Sequence, residues 1–411
     1  MSITDTRPLL EELRAAYGPL LAEIGAGALQ RELDDVLPDQ EVRRLKEAGF
    51  GALRVPTQYG GREVSIPGLT QLWIDLAAAD SNLPQALRGH AALVEDRLWQ
   101  HAQGRDQRVW FDRFAAGEIA GNAWSEVGPT TIDTQRTMLT GQQDGSYLLS
   151  GSKFYATGTI YAEWADVYAR IDGPGAEPQF AIALVDTRDP EVTVTDDWDG
   201  FGQRGSGSGT TTFDAAPVPA ENVLPFGERF PYQTALYQLN LLAVLAGIGR
   251  AALDDFVGHV QQRDRNYSHA NAARVRDDPQ VLARIGEASA AVYAAEAATL
   301  RVADAVQRVA DLAPYAAGVP DRVAAANEAA EIESSQAQVV VTELVLGLTT
   351  SLFDTLGASG TALAKGLDRH WRNARTVASH NPRILKARVV GGHLVNGTPP
   401  PYAWAIGRTE R

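Results

Sequence analysis

The chain has 411 residues, 45% of them hydrophobic and 21% charged, which is enough apolar side chain for a large core and too little charge bias for disorder. A formal net charge of -14 opposes nucleic acid or an anionic membrane as main partner, since both need a field of the opposite sign. The absence of cysteine excludes disulfides, thiolate nucleophiles and cysteine-based metal centres.

The opening stretch, "MSITDTRPLLEELRAAYGPLLAEIG", has acids within its apolar pattern and lacks the basic-then-apolar order of a signal peptide. Together with a most apolar run, Leu239 to Ile248, too short to span a bilayer, it predicts a cytoplasmic protein without a membrane segment. Residues 1–118 read as helical, with apolar residues at three- and four-residue steps in "LLEELRAAYGPLLAEI", "DQEVRRLKEAGF" and "LTQLWIDLAAA". "RVPTQYGG" and "DSNLP" supply the turns between them.

Residues 119–228 change to short alternating or β-branched runs such as "SYLLSGSKFYATG", "ADVYARI", "FAIALV" and "EVTVTDDW". They predict an antiparallel β domain, with Asp144-Gly145 turning one hairpin. Residues 229–411 are helical again, in long Ala/Leu/Val-rich segments that predict a four-helix bundle with faces suited to burial against other subunits. The predicted fold is α+β, mostly α: N-terminal helical domain, central β-barrel, C-terminal bundle.

Gly200 to Gly205, "GFGQRG", matches GxGxxG by spacing, but a β-like "SGSGTTTF" follows where a dinucleotide fingerprint needs a helix. It reads as a turn or a ligand-facing loop. No Walker or HExxH motif occurs, and no metal site is predicted. The stretch "RHWRNARTVASHNPRILK", Arg369 to Lys386, concentrates cations in an acidic chain. Helical spacing puts Arg369, Asn373, Thr376 and His380 on one face, and Pro382 places His380 at the helix end, where the dipole favours its charged form. Two readings stay open: a cationic helix cap, or an anion site beside a titratable group. His90, in "LPQALRGHAALVEDRLW", is either a hydrogen-bonded structural histidine or a functional one. Trp124, Trp164 and Trp198 suit either the β-domain core or stacking on a cofactor.

The ordered motifs "VPTQYGGREVS", "LRGHAALVE", "GNAWSEVG", "GSKFYATGTIYAEWADV", "DDWDGFGQRGSGSGT", "LDRHWRNARTVASHNPRILK" and "LVNG" resemble the acyl-CoA dehydrogenase fold superfamily. Within it they are similar to the two-component flavin monooxygenases of the dibenzothiophene monooxygenase and sulfur-acquisition group. The resemblance implies a homotetramer using reduced FMN (FMNH2), with FAD as the alternative, supplied by a separate flavin reductase. It implies that Asn122, Trp124, Ser125, Lys153 and Thr157 line the flavin, that Arg369, His370, Arg372 and Asn373 help hold it, and that Arg263 reaches a neighbour's phosphate. It maps the reactive-side histidines onto His90 and His380, and the substrate pocket onto Val94, Ala156 and Trp198.

The implied reaction moves one oxygen from O2, through a flavin C4a-hydroperoxide, to a heteroatom of a small organic substrate, most naturally sulfur. Amine or aromatic oxygenation and an acyl-CoA dehydrogenase with a displaced base are the alternatives. Two features bear on the choice. No Asp or Glu lies between Asp368 and Glu410, where many acyl-CoA dehydrogenases carry their base. Ala156 stands where close relatives have serine, and "HAALVE" lacks their aromatic, so the pocket shape is expected to differ.

Overall fold

The computed structural model describes residues 7–127, 134–172 and 179–402. Six helices come first: α1 (Arg7–Asp34), α2 (Asp39–Glu47), α3 (Ile66–Ala79), α4 (Asn82–Ala86), α5 (Arg88–Ala102) and α6 (Arg108–Ala115). Eight strands follow: β1 (Ala120–Ala123), β2 (Met138–Gly141), β3 (Tyr147–Lys153), β4 (Trp164–Asp172), β5 (Gln179–Asp186), β6 (Val192–Thr195), β7 (Thr210–Val218) and β8 (Val223–Pro225). The chain then returns to helix in α7 (Gln233–Gln262), α8 (Pro279–Ala310), α9 (Pro320–Ser351), α10 (Asp368–Ser379) and α11 (Lys386–Asn396). α6 ends at Ala115 and β1 begins at Ala120, while β8 ends at Pro225 and α7 begins at Gln233.

Local chemistry explains several starts. Ser65 caps α3 by accepting from the Gly68 N–H, and Asp278 caps α8 through the Gln280 N–H, each with proline in the first turn. Gly145, at φ +88°, turns the chain from β2 into β3, which pair antiparallel as the Asp144-Gly145 signal predicts.

The N-terminal helices and the bundle share one core, with Leu13, Leu45, Trp73, Leu239, Val306, Val341 and Val377 in a single cluster. Gly247 permits it: a Cβ there would sit 2.4 Å from the Ala77 Cβ and 2.6 Å from the Ile74 carbonyl, so only glycine lets α7 approach α3 so closely.

The sheet runs β6-β7-β3-β2-β4-β5-β8, with β1 joined to β4, and it differs from expectation in being mixed. β1 and β2 each pair parallel with β4. Side-chain alternation has the same period in both kinds of ladder, so it carries no information on strand direction. The inner face buries Leu139, Leu149, Val167, Val185 and Phe213, while Trp164, Tyr168 and Ile182 on the other face pack against Trp110 and Phe111.

A second difference concerns α9. With its 3-10 extension, Pro320–Thr355 is long and apolar enough by length and composition to cross a membrane, which the reading of Leu239 to Ile248 overlooked. Here α9 packs on α7, α8, α10 and α11, and buries polar Asn327, Glu331, Ser334, Ser335 and Gln338. That polar stripe suits a bundle interior rather than lipid.

Candidate active site

β1 and the loop after β3 build one wall. The Asn122 N–H donates to the Thr157 carbonyl at 3.1 Å, and Phe154 N–H to the Ser125 carbonyl at 2.8 Å. Gly158, at φ +77°, brings the loop against α4, where a Cβ would lie 2.0 Å from the Ala86 carbonyl oxygen. Tyr155 beside it is held at φ +57°, a left-handed conformation that costs a non-glycine residue and occurs more often at functional loops. Its ring meets Trp198 edge-on at 5.7 Å, and the Thr157 hydroxyl contacts the Ser208 hydroxyl at 2.9 Å. Thus the strand-end loop and the glycine-rich loop, distant in sequence, are one unit.

Trp124 is fixed from behind. Its Nε1–H donates to Asp166 at 2.8 Å, Asp166 accepts from Arg229 Nη1 at 2.8 Å, and Arg229 lies 3.9 Å from Asp96. Burial alone would lower the Arg229 pKa; the Asp166 and Asp96 charges outweigh it and raise the pKa above its ordinary value. Lys153 is fully buried and donates to Glu126 at 2.9 Å, to the Trp124 carbonyl at 3.3 Å and to Gln135. Burial lowers its pKa to about 8 against the pull of Glu126. Lys153, expected to line the flavin, uses its ammonium here to tie the wall together.

Ala156 is 1% exposed and packs into the sheet's inner core, and Val94 is 2% exposed among Leu93, Trp110 and Phe111. Val94 shares the lining of a small pocket with His90, Arg54 and Trp73. Trp198 donates to the Gly202 carbonyl at 3.1 Å and borders a surface cleft of about 380 Å³ whose rim carries Glu32, Asp35, Asp196 and Asp199. That acidic rim is unsuited to an anionic cofactor.

α10 closes the other side. Arg369 donates to Asp255 at 2.5 Å, and the His370 Nε2 is 2.8 Å from the same carboxylate. Burial pushes the Asp255 carboxyl up, but His370 and Arg369 outweigh it and hold it at about 2. Arg372 reaches Glu32 at 2.7 Å and Asp368 at 2.8 Å, and the Asn373 side-chain oxygen accepts from the Gln203 N–H at 2.6 Å. These four residues are therefore struts joining α10 to α7, α1 and the glycine-rich loop. Arg369 and Arg372, expected to help hold the flavin, are each paired here with a carboxylate from elsewhere in the chain. Arg263, by contrast, contacts the Leu356 carbonyl and the Tyr267 ring and has no carboxylate partner among the described residues.

The two histidines part company. His90 is 3% exposed; its Nδ1 accepts from the Ala120 N–H at 3.3 Å, which leaves Nε2–H to donate to the Gly51 carbonyl at 2.8 Å. Its ring sits edge-on to Phe114 at 5.1 Å. Both nitrogens of His90, expected beside the reactive flavin, are thus bonded to backbone in this structure. His380 caps α10 and forms no side-chain hydrogen bond to another residue among those described. Protein atoms crowd around it although solvent reaches its ring. That crowding first, and the Arg88 charge second, lower its pKa to about 3.

Burial holds His90 near pKa 4 and, with Arg369, His370 near 4, both below the 6.5 of an exposed histidine. Each contributes stability that is fully present above pH 6.5 and lost as pH falls toward 4, because the unfolded chain takes up the proton first. A loss on the order of 3 kcal/mol per ring is expected across that window. Denaturant midpoints measured from pH 7 to pH 4.5 should fall, and less steeply for His90→Gln; equal slopes would refute the assignment.

Sequence reading missed Arg88, Tyr237 and Gln233. Arg88, 5% exposed at the start of α5, lies over the Tyr237 ring at 5.1 Å and reaches the Asn122 side-chain oxygen only at 3.5 Å. Its Nε, the Tyr237 hydroxyl and the Gln233 side-chain oxygen are buried without a hydrogen-bond partner. The available signal was an arginine inside the apolar run "LPQALRGHAAL". These orphaned groups beside Asn122 and Trp124 fit a bound polar, ring-bearing cofactor, since buried polar atoms without partners are rare unless something else satisfies them.

Three acyl-CoA dehydrogenase family profiles match in succession: the N-terminal domain over residues 11–118, the middle domain over 123–216 and the C-terminal domain over 239–382. Dibenzothiophene monooxygenase of Rhodococcus erythropolis is 27% identical over 390 residues, covering 91% of each chain. A probable FMNH2-dependent monooxygenase, SfnC of Pseudomonas putida, is 25% identical over 410 residues, covering 97% of each. The structure of TdsC from Paenibacillus sp. A11-2 with FMN and indole superimposes with a TM-score of 0.85 at 26% identity, covering 97% of this chain and 99% of that one. By the order and extent of these matches, the chain belongs to the acyl-CoA dehydrogenase fold family, in the group that includes dibenzothiophene monooxygenase.

Proposed function

We propose that this protein is a reduced-flavin-dependent monooxygenase that transfers one oxygen atom of O2 to sulfur in a small organic substrate. One observation carries the reading: at the end of α10, where many dehydrogenases of this fold carry their carboxylate, stands an imidazole with no side-chain hydrogen-bond partner among the described residues. A neutral imidazole both accepts and donates one hydrogen bond, so His380 can hold a proton at one ring nitrogen and deliver it to oxygen.

Bound reduced FMN would supply the electrons and activate O2. Asn122, Trp124, Ser125 and Thr157 would form its protein wall, with Trp124 locked by Asp166, while Arg263 would meet the phosphate of a cofactor in a neighbouring subunit. His370, Arg369, Arg372 and Asn373 would hold α10 in place behind it. A homotetramer would cover exposed Tyr293, Val340, Leu394 and Val395 on α8, α9 and α11. A separate flavin reductase would supply FMNH2 in the cytoplasm.

The test mixes protein and reduced FMN anaerobically, then adds O2 with a thioether, a thiophene or an alkanesulfinate. Oxygenated product forming in proportion to FMN consumed is expected. Release of all the oxygen as free hydrogen peroxide with every sulfur substrate would sink the reading.

A further inference from the structure

Three buried hydroxyls stand in a row where the glycine-rich loop meets the wall. Ser206 Oγ lies 2.7 Å from the Gln203 carbonyl oxygen, Ser208 Oγ lies 2.8 Å from Ser206 Oγ, and Thr157 Oγ1 lies 2.9 Å from Ser208 Oγ. Each hydroxyl has one proton to give, and a carbonyl oxygen has none. The contact to Gln203 therefore takes the Ser206 proton, the next contact takes the Ser208 proton, and the last takes that of Thr157. The competing acceptor for Thr157, the Tyr155 carbonyl, is at 3.4 Å, beyond the usual hydroxyl range. All three protons thus run one way, from Thr157 toward Gln203, and each bond polarises the next.

Both ends of the row are fixed by backbone. Gln203 sits at φ +54°, a left-handed conformation that costs a non-glycine residue. It is held there because its N–H donates to Asn373 of α10 at 2.6 Å and its side-chain amide donates to Ser81 at 2.9 Å. Gly207, at φ +61°, passes between Ser206 and Ser208 where a Cβ would lie 2.6 Å from Ile160 Cγ2. At the other end the Gly158 N–H lies 3.2 Å from the Ser206 carbonyl and 3.0 Å from that of Gly207, which locks the Thr157 loop onto the row. With its proton committed to Ser208, the Thr157 oxygen receives no hydrogen bond from any described residue and presents only lone pairs.

We propose that the row of Ser206 and Ser208, anchored on the Gln203 carbonyl, makes Thr157 a fixed hydrogen-bond acceptor, and that this lets the protein select reduced over oxidised FMN. The two redox states differ at ring nitrogen N5, a bare acceptor in the oxidised ring and an N–H donor after reduction. A Thr157 oxygen facing that nitrogen accepts from the reduced ring. Against the oxidised ring it meets a second lone pair, and turning its proton away from Ser208 breaks a buried hydrogen bond. Such a preference retains the FMNH2 that a reductase delivers and releases the oxidised form afterwards. The proposal rests on the reduced-flavin reading for placing the cofactor against Thr157. Ser206 and Ser208 are positioning residues, since they act on the cofactor only through Thr157.

Binding of FMN in each redox state tests this without turnover, the oxidised form read by quenching of flavin fluorescence and the reduced form by anaerobic ultrafiltration. Wild type is expected to hold reduced FMN at least about tenfold more tightly than oxidised FMN, the scale of one buried hydrogen bond. Ser208→Ala frees the Thr157 proton to turn toward the cofactor and should lower that ratio by about tenfold, with the midpoint potential of bound FMN falling by about 30 mV. Ser206→Ala, which removes the anchor of the row, should act in the same direction and serves where Ser208→Ala does not fold. A wall that is merely loosened weakens both redox states by the same factor, so a wild-type ratio in the variants would overturn the proposal. Equal affinities for the two states in wild type would overturn it as well. Loss of the preference in the variants, with no oxygen transfer to any sulfur compound by wild type, would leave the selection standing and refute the monooxygenase reading alone.

Discussion

Replacing His380 by alanine is expected to lower oxygenated product per O2 consumed by about a hundredfold or more, the usual scale for losing a positioned proton-transfer group. Consumption of reduced FMN should continue, with hydrogen peroxide taking the place of product. The fold should be unaffected, because the His380 side chain makes no hydrogen bond to another residue among those described and is exposed at the end of α10. That separates it from His90, whose removal should cost stability through two lost backbone contacts yet leave product per O2 unchanged. His380→Asn, which can still donate and accept but cannot take up a proton, should fall between. A His380→Ala enzyme with wild-type product yield and normal folding would remove His380 from the chemistry.

The second large effect lies behind the wall. Asp166→Ala is expected to destabilise the protein by about 3–5 kcal/mol, the scale for breaking a buried ion pair from one side. Arg229 would retain only Asp96, at 3.9 Å, and the Trp124 indole N–H would lose its acceptor. Asp166→Asn should cost less, since it can still accept from Trp124. The double replacement Asp166→Leu with Arg229→Met should recover much of the loss, because it leaves no unpaired charge. Denaturant midpoints of the single and double variants check this; a midpoint for Asp166→Ala within about 0.5 kcal/mol of wild type, as for an ordinary surface change, would refute it. A lower affinity for FMN in Asp166→Asn, with the fold intact, would show that the network also orients the wall.

Much of the scaffold is legible in the residues because it is local. Helical periodicity, the Ser65 and Asp278 caps, and the Asp144-Gly145 hairpin each depend on neighbours a few positions away. His380 lands at the end of α10 for the same reason, with Pro382 limiting the helix. The parallel pairing of β1 and β2 with β4 was not legible, since the period of a strand is blind to its direction.

The candidate site divides along the same line. Sequence by itself determined which chemistry is available: no cysteine, an imidazole at the α10 terminus, arginines around it, and no carboxylate from residue 369 to 409. Only tertiary structure decided which of those groups are free. Arg369 and Arg372 meet Asp255 and Glu32, which are 114 and 340 positions away, and His90 spends both nitrogens on distant backbone. Arg88, which looks like one more helical arginine, is the one left buried without a carboxylate among the described residues. Pairing and protonation depend on what lies within a few ångströms in space, and the period of a helix fixes only which way a side chain points, not what it meets.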